Sequence, residues 1–318
     1  RALRDLQLPG GEDADQLHAR ALEHAELDSV DFLSLRDLLE LADCDEVALQ
    51  TLILMLLMEF GQGSLCLRLD HATLRHKHRL LTGADDPALV DAICRGLDEH
   101  RWQAVITADE EVFKPLLVRR TDAGEWLYLH RTLSHARSLQ HEIEARLHAT
   151  GAGRFTADQL AAVVPEVLAA TAPPLNREQA LAVCLALMRR FLVVSGGPGT
   201  GKTSIIITLL RCLLALDVDP GRIRLAAPTG RAAQRISDSL HAAATAVGDV
   251  DPAAVLAGET VHRLLRYHPG RGRFRYDRNN PLPLDVLVVD EVSMVDAGLM
   301  AALLEAVPAA AHVVLLGD

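Results

Sequence analysis

Phe191-Leu-Val-Val-Ser-Gly-Gly-Pro-Gly-Thr-Gly-Lys-Thr203 is the stretch on which the fold turns. Its run of apolar residues predicts a buried strand, the glycines a tight turn, and 204–214 the helix that follows. Residues Gly196, Gly197, Pro198, Gly199, Thr200, Gly201, Lys202 and Thr203 fit G-x-x-x-x-G-K-[ST], the phosphate loop of nucleotide-binding α/β proteins. Glycines let the backbone wrap close to an anion, so that successive N–H groups point at phosphate oxygens. The helix adds its positive N-terminal end. Lys202 is expected to reach the β- and γ-phosphates of ATP, and Thr203 to hold Mg²⁺ through its hydroxyl. Only three lysines, Lys77, Lys114 and Lys202, occur among 32 basic residues. Arginine serves nearly everywhere else, so a compact ammonium has been kept where a point contact with phosphate is required.

Outward from this loop, strands are expected at 191–195, 223–227, 286–289 and 313–316, separated by helices. Continuous apolar strands alternating with helices specify an α/β domain with a parallel sheet. Leu287-Val-Val-Asp-Glu291 ends one such strand in two carboxylates. Ligands collect at the carboxyl edge of these sheets, so Asp290 is a candidate Mg²⁺ ligand and Glu291 a candidate for activating water. Lys202, Asp290 and Glu291 form the candidate catalytic set.

Asn176-Arg-Glu-Gln179 admits two readings: a capping box for a helix over 177–190, or a Gln179 amide that reads adenine. Thr229, Gly230 and Arg231 follow the second strand, where hydroxyl, N–H and guanidinium can meet a phosphate. A plain helix start with a solvated arginine fits them equally well. Thr260-Val-His262 opens a short helix. Then comes His268-Pro-Gly-Arg-Gly-Arg-Phe-Arg-Tyr-Asp-Arg278, basic residues interleaved with aromatics as in single-strand binders; it fits a mobile arginine-rich loop shielding the sheet as well.

The first half lacks catalytic spacing. Helices are expected over 32–42, 47–59, 86–99 and 133–148, a short strand over 64–69, and a hairpin of 114–119 with 125–129 around Thr121-Asp-Ala-Gly124. A further helix over 157–170 is expected to break or restart at Pro165. Domain bounds follow: a mainly helical docking domain at 1–150, a connecting helix and proline-rich linker at 151–175, and the nucleotide domain from 176 to 318.

The chain has 318 residues, a net charge of −11 and 49% hydrophobic residues. The acidic excess lies within 1–150, with 16 basic against 27 acidic residues; 151–318 holds 16 of each. Phosphate backbones are bound through basic groups, so nucleic acid is expected on the second half. Five scattered cysteines without a C-x-x-C pair suit buried thiols in a reducing cytoplasm. His71, His76 and His78 lack the cysteine or carboxylate companions of a metal site, and Asp109-Glu-Glu111 reads as a solvated loop. The run 47–58 is too short to cross a bilayer.

Taken together, Asn-Arg-Glu-Gln179, Gly-Gly-Pro-Gly-Thr-Gly-Lys-Thr203, Ala-Pro-Thr-Gly-Arg-Ala-Ala233, Thr-Val-His-Arg-Leu-Leu265, Val-Asp-Glu-Val-Ser-Met-Val-Asp296 and Leu-Gly-Asp318 resemble superfamily-one DNA helicases, and within them the RecD family of RecBCD helicase–nuclease subunits. Gly-Gln-Gly-Ser-Leu-Cys-Leu67 and Trp-Leu-Tyr-Leu-His-Arg131 give a softer likeness in the first half. The resemblance implies a RecA-like P-loop NTPase domain and an ATP- and Mg²⁺-dependent motor moving 5′→3′ on single-stranded DNA from duplex ends, in double-strand-break repair and recombination. It implies RecB- and RecC-like partners, with no membrane. It assigns adenine to Gln179, and places Thr229, Gly230, Arg231, Thr260 and His262 near the DNA. At Asp318 the family continues with a glutamine and a second motor domain bearing phosphate-stabilising arginines. The 318 residues are therefore expected to be a motor truncated before that domain, binding ATP weakly and hardly hydrolysing it. Alternatives are a stand-alone RecD-like helicase, from a different class a non-catalytic ATP-binding assembly subunit, and a recombinase-type or transport ATPase. The Thr-Gly-Arg and Thr-Val-His segments argue against the last.

Overall fold

A computed structural model describes residues 8–9, 11–148, 154–197, 199–247 and 256–318, with the side chains of 243–247 excepted. The chain divides into two compact units, Arg1–Ser134 and His135–Asp318, and the division falls inside a helix, ahead of the segment read as a linker.

The first unit contains α1 (Glu12–His24), α2 (Ser29–Ala42), α3 (Val47–Gly61), β1 (Leu67–Arg68), α4 (His71–Thr82), α5 (Pro87–Asp98), β2 (Ile106–Thr107), β3 (Leu116–Thr121), β4 (Gly124–Leu129) and the start of α6 (His130–Leu147). Leucines fall on every face of α3, and Ala48 through Glu59 are all buried. Such a helix belongs at the centre, and α1, α2, α4 and α5 pack around it. Gln50 is tolerated there because all its amide groups are used: Oε1 meets His18 Nε2 at 2.7 Å, and Nε2 donates to the carbonyls of Asp45 (2.9 Å) and Pro9 (3.1 Å). The expected hairpin is present as β3–β4, running from Leu116↔Leu129 to Thr121↔Gly124. It forms the middle of a four-stranded sheet, β1-β4-β3-β2. The strand expected over 64–69 shrinks to Leu67–Arg68, because only these two residues pair with β4. The histidine-rich stretch is α4, where His71 contacts Asp91 (2.9 Å) and His78 is buried.

The second unit continues with α7 (Ala157–Ala170), α8 (Arg177–Met188), β5 (Phe191–Ser195), α9 (Lys202–Ala215), β6 (Ile223–Ala227), α10 (Gly230–Val247), β7 (Gly258–Thr260), α11 (Val261–Leu264), β8 (Val286–Val289), α12 (Ala297–Ala306) and β9 (His312–Gly317). Its five described strands pair in the order β5-β9-β8-β6-β7, every pair parallel. Central β8 and β9 are buried throughout, whereas β5 is an edge strand and leaves Val193 57% exposed. Three-residue β7 was not expected. Gly258 makes it possible, since a Cβ there would lie 2.5 Å from the carbonyl oxygen of Ala233. The strand can thus press against α10, with Gly258 N–H donating to Ser237 Oγ (2.9 Å).

The break expected at Pro165 does not occur: α7 runs unbroken through it. An internal proline costs a helix about 3 kcal/mol. Thr156 and Gln159 close a capping box at the start of α7, and Val164, Leu160, Val167 and Leu168 pack into the core shared with α9. Burial at roughly 1.5–3 kcal/mol per large apolar side chain outweighs the lost hydrogen bond. The last turn of α6 ties down the far side of the unit. Arg146, almost wholly buried, donates to the carbonyls of Leu304 (2.8 Å) and Val307 (2.9 Å) at the end of α12, and to Glu142 (2.6 Å). Burial pushes the Cys212 thiol up to about 12 and raises those of Cys44, Cys66 and Cys94.

Candidate nucleotide site at the carboxyl edge of the sheet

Because the strands are parallel, their carboxyl ends share one edge. Reading across it from β5 to β7, the chain presents the glycine-rich loop, Asp318, the Asp290–Glu291 pair, the Thr229–Arg231 turn and Thr260. Residues far apart in sequence are thereby set side by side.

The loop is anchored at both ends. Gly196 N–H donates to the Gly317 carbonyl (3.0 Å), extending the β5–β9 pairing by one residue. Thr200 donates back to the Gly197 carbonyl through its hydroxyl (2.9 Å). Gly201 then caps α9 at φ +82°, a conformation that only glycine adopts without strain. A Cβ at this position would lie 2.4 Å from Gln179 Nε2. Gln179 needs that space, because its Nε2 donates to the Thr200 carbonyl (2.9 Å). Its Oε1 accepts from Asn176 N–H (2.9 Å), while Gln179 N–H donates to Asn176 Oδ1 (2.9 Å). The capping box is therefore present, and one side chain joins the start of α8 to the phosphate loop. Pro198 lies outside the described residues.

Lys202 and Thr203 form the first turn of α9. The Lys202 ammonium is held by the Gly196 carbonyl and the Asp318 carboxylate, with the Gly197 carbonyl at 3.4 Å. Asp318 follows β9, the neighbour of β5, and sequence reasoning gave it no role at Lys202. In sequence it is the carboxylate directly after an apolar strand, at the end of Leu-Gly-Asp318, with nothing to pair it with Lys202.

Asp290 follows β8 and is only 9% exposed. Burial pushes its carboxyl above the usual carboxylate range; the Glu291 N–H on Oδ1 (2.9 Å) and the charges of Lys202 and Arg235 only partly offset this. A carboxylate whose charge is costly in place, within the field of the phosphate-loop lysine, is suited to a divalent cation. Thr203 offers a hydroxyl at the first turn of α9. These donors fit Mg²⁺, which takes few protein oxygens and keeps waters and phosphates for the rest.

Glu291 adopts a left-handed conformation (φ +56°), unusual for a residue with a Cβ and costing roughly 1–2 kcal/mol. Its Oε1 accepts from Arg235 on α10 at 3.2 Å. Arg235 was not singled out in sequence, although it lies four residues after Arg231, on the same helical face. Gly230 opens α10 and Thr229 caps it, its Oγ1 accepting from Ala232 N–H (3.2 Å); Arg231 is exposed. Thr260 likewise caps α11 through Arg263 N–H (3.2 Å), and His262 rests against Tyr267. Both threonines thus do structural work at strand-to-helix turns, while Arg231 and His262 remain open to solvent.

Comparison with known proteins agrees with this geometry. Residues 179–318 match an AAA domain family. The chain is 45% identical over 148 residues to the RecBCD enzyme subunit RecD of Mycobacterium tuberculosis, covering 44% of this chain and 25% of that protein. It is 36% identical over 228 residues to RecD of Mycolicibacterium smegmatis (70% and 39%), and 40% identical over 144 residues to the ATP-dependent RecD2 DNA helicase of Deinococcus radiodurans (45% and 18%). The alignments thus span between 18 and 39% of the lengths of these relatives. No described helix is long and apolar enough to cross a membrane. Over the part these relatives share, the chain is RecD-like, and its second unit holds a RecA-like P-loop domain.

Proposed function

We propose that this chain supplies the ATP-gripping part of a 5′→3′ DNA helicase, a RecD-type subunit of a RecBCD-like complex acting on DNA ends in double-strand-break repair. The observation that carries the proposal is the order along the sheet edge. The phosphate loop and the Asp290–Glu291 pair lie towards one side, the Thr229–Arg231 and Thr260 turns towards the other. One rigid sheet then offers a place for a nucleotide and a place for a strand.

In this mechanism Lys202 exchanges the Asp318 carboxylate for the β- and γ-phosphates, and the N–H groups at the end of the loop and in the first turn of α9 serve the same oxygens. Gln179 reads adenine with the donor and lone pair it does not use in the cap. Mg²⁺, held by Thr203 and Asp290, would neutralise charge on the phosphates. Glu291 orients water and accepts its proton as the water oxygen attacks the γ-phosphorus and the bond to ADP breaks. Thr229, Gly230, Arg231, Thr260 and His262 line the strand's path. The acidic first half serves as the docking surface for RecB- and RecC-like partners, in the cytoplasm.

Titration with a fluorescent ATP analogue in Mg²⁺ tests the core of the proposal. Lys202→Gln is expected to weaken binding at least tenfold with little change in melting temperature. Unchanged affinity would refute the assignment. The stand-alone reading is favoured by the similarity to the RecD2 helicase. Co-purification of the full-length protein with two large subunits decides between the two.

A further inference from the structure

The basic, aromatic segment after α11 is not used by the nucleotide site, and its conformation is specific. Helix α11 ends with Arg266 in the left-handed region (φ +54°), where glycine is the usual choice. Arg266 N–H donates to the Arg263 carbonyl (3.1 Å) and Tyr267 N–H to that of His262 (2.9 Å). This reversal folds Tyr267 back onto His262, with centroids 5.6 Å apart at 84°. The chain then turns through Pro269–Arg271 and Gly272 (φ +58°) and comes back alongside itself. His268 N–H donates to the Arg273 carbonyl (2.9 Å), and Arg275 N–H to the Leu265 carbonyl (3.1 Å). Phe274 is thereby brought 5.2 Å from the Tyr267 ring and 6.0 Å from His262. Leu264 and Leu265 beneath are buried, and Phe274 and Tyr276 pack against the same apolar cluster. The rings are fixed from below, yet Tyr267 keeps 41% of its surface exposed.

Charge completes the surface. Arg263, Arg266, Arg271 and Arg273 are exposed, and among the described residues their guanidinium groups have no carboxylate or hydrogen-bond partner. Arg278, by contrast, is paired with Glu142 at 2.8 Å. A loop that only shielded the sheet would pair its arginines, as Arg278 is paired, and would turn its tyrosine inward. Four unpaired guanidinium groups in eleven residues, on a chain of net charge −11, are retained at a local electrostatic cost. The segment follows β7, which lies at the opposite edge of the sheet from β5 and the phosphate loop.

We propose that His262, Tyr267 and Phe274 form a stacking platform for one or two bases of single-stranded DNA, with Arg263, Arg266, Arg271 and Arg273 holding the flanking phosphates. This rests on the DNA-motor reading and adds to it how the strand is gripped: through base faces as well as backbone. Stacking is tolerant of sequence because every base has a π face, as suits a motor that must pass over any sequence.

Fluorescence anisotropy of a labelled 20-nucleotide oligo(dT) with this chain tests the platform. Tyr267→Ala is expected to weaken binding about tenfold, equivalent to roughly 1.4 kcal/mol, and Tyr267→Phe to restore it to within about twofold. Arg271→Ala with Arg273→Ala should reduce the salt slope by about 1.4, two single-strand phosphate contacts at ~0.7 each. In Tyr267→Trp, emission from the new indole should be quenched when oligo(dT) binds, a signal that a purely structural role for the ring would not produce. Equal affinity of Tyr267→Ala and the unmodified chain, absence of quenching, or binding of duplex as tight as single strand would each overturn the platform. Nucleotide binding by the unmodified chain separates the two readings. Nucleotide binding together with ring-independent DNA binding removes the platform and leaves the motor. Ring-dependent DNA binding without nucleotide binding does the reverse.

Discussion

Gln179 is the residue at which two readings of one side chain can be pulled apart by a single atom. Its Oε1 completes the cap on α8 by accepting from Asn176 N–H, and its Nε2 holds the Thr200 carbonyl of the phosphate loop, each at 2.9 Å. Gln179→Glu keeps the acceptor and removes the donor. Glutamate serves well at the third position of a capping box, and negative charge is favoured near a helix N-terminus. The helix should therefore keep its stability, with a melting temperature within about 2 °C of the parent by the size scaling of unfolding entropy. The loop loses a hydrogen bond of about 1 kcal/mol, and a carboxylate now faces both the Thr200 carbonyl and the phosphates. At 1.4 kcal/mol per tenfold, ATP affinity should fall at least tenfold.

Gln179→Ala removes both functions. It should lower the melting temperature by several degrees, at about 1 kcal/mol each for cap and loop contact. It should also narrow any preference for ATP over GTP, because the amide has a second hydrogen and a second lone pair to offer adenine. Melting curves and analogue titrations on the two variants give all four numbers. If Gln179→Glu binds ATP within twofold of the parent while Gln179→Ala loses stability, Gln179 is a cap and nothing more.

Asp290→Asn should raise the melting temperature at pH 7 while weakening Mg²⁺·ATP binding. Burial raises the Asp290 carboxyl, so its contribution is complete below the unfolded value near 3.8 and is lost as pH rises through the folded one; the gain from asparagine should vanish as pH falls towards 4 in a melting series. Arg146→Ala leaves the Leu304 and Val307 carbonyls and Glu142 without their buried partner, which should cost about 3 kcal/mol, or roughly 10 °C by calorimetry. Lysine should rescue it only in part, since one ammonium does not span a fork. Gly258→Ala drives a Cβ against the Ala233 backbone and should destabilise by about 1–3 kcal/mol in urea unfolding. An unchanged midpoint would mean that β7 can move away from α10.

Local signals in the sequence reached as far as local physics does. Strands β5, β6 and β8 and helix α3 stood out because each is a mostly apolar run whose length separates strand from helix. The loop 196–203 stood out because its residue spacing fits the phosphate-loop pattern G-x-x-x-x-G-K-[ST]. By contrast, β7 has three residues and no apolar run; it exists because Gly258 admits the close approach of α10, a fact of packing. Helices α1 and α4 carry few apolar residues, so no element is marked out there by apolar periodicity. Pro165 pointed to a break, and only the burial of the residues around it reverses that expectation.

The contacts that set the chemistry are those that sequence spacing hides most completely. Lys202 meets Asp318 across 116 positions, and Arg235 meets Glu291 across 56. Both pairs arise because a parallel sheet delivers every strand's carboxyl end to one edge, where each loop meets its neighbours in sheet order and not in chain order. In that order the candidate phosphate-binding lysine is held by a carboxylate that follows the adjoining strand. The candidate water-activating glutamate is held by an arginine one turn beyond the candidate strand-contacting residues. Helix α10 begins at this Thr229–Arg231 turn and reaches Glu291 through Arg235, one turn further along. If a strand binds at that first turn, as proposed, one salt bridge separates it from the candidate water-activating glutamate.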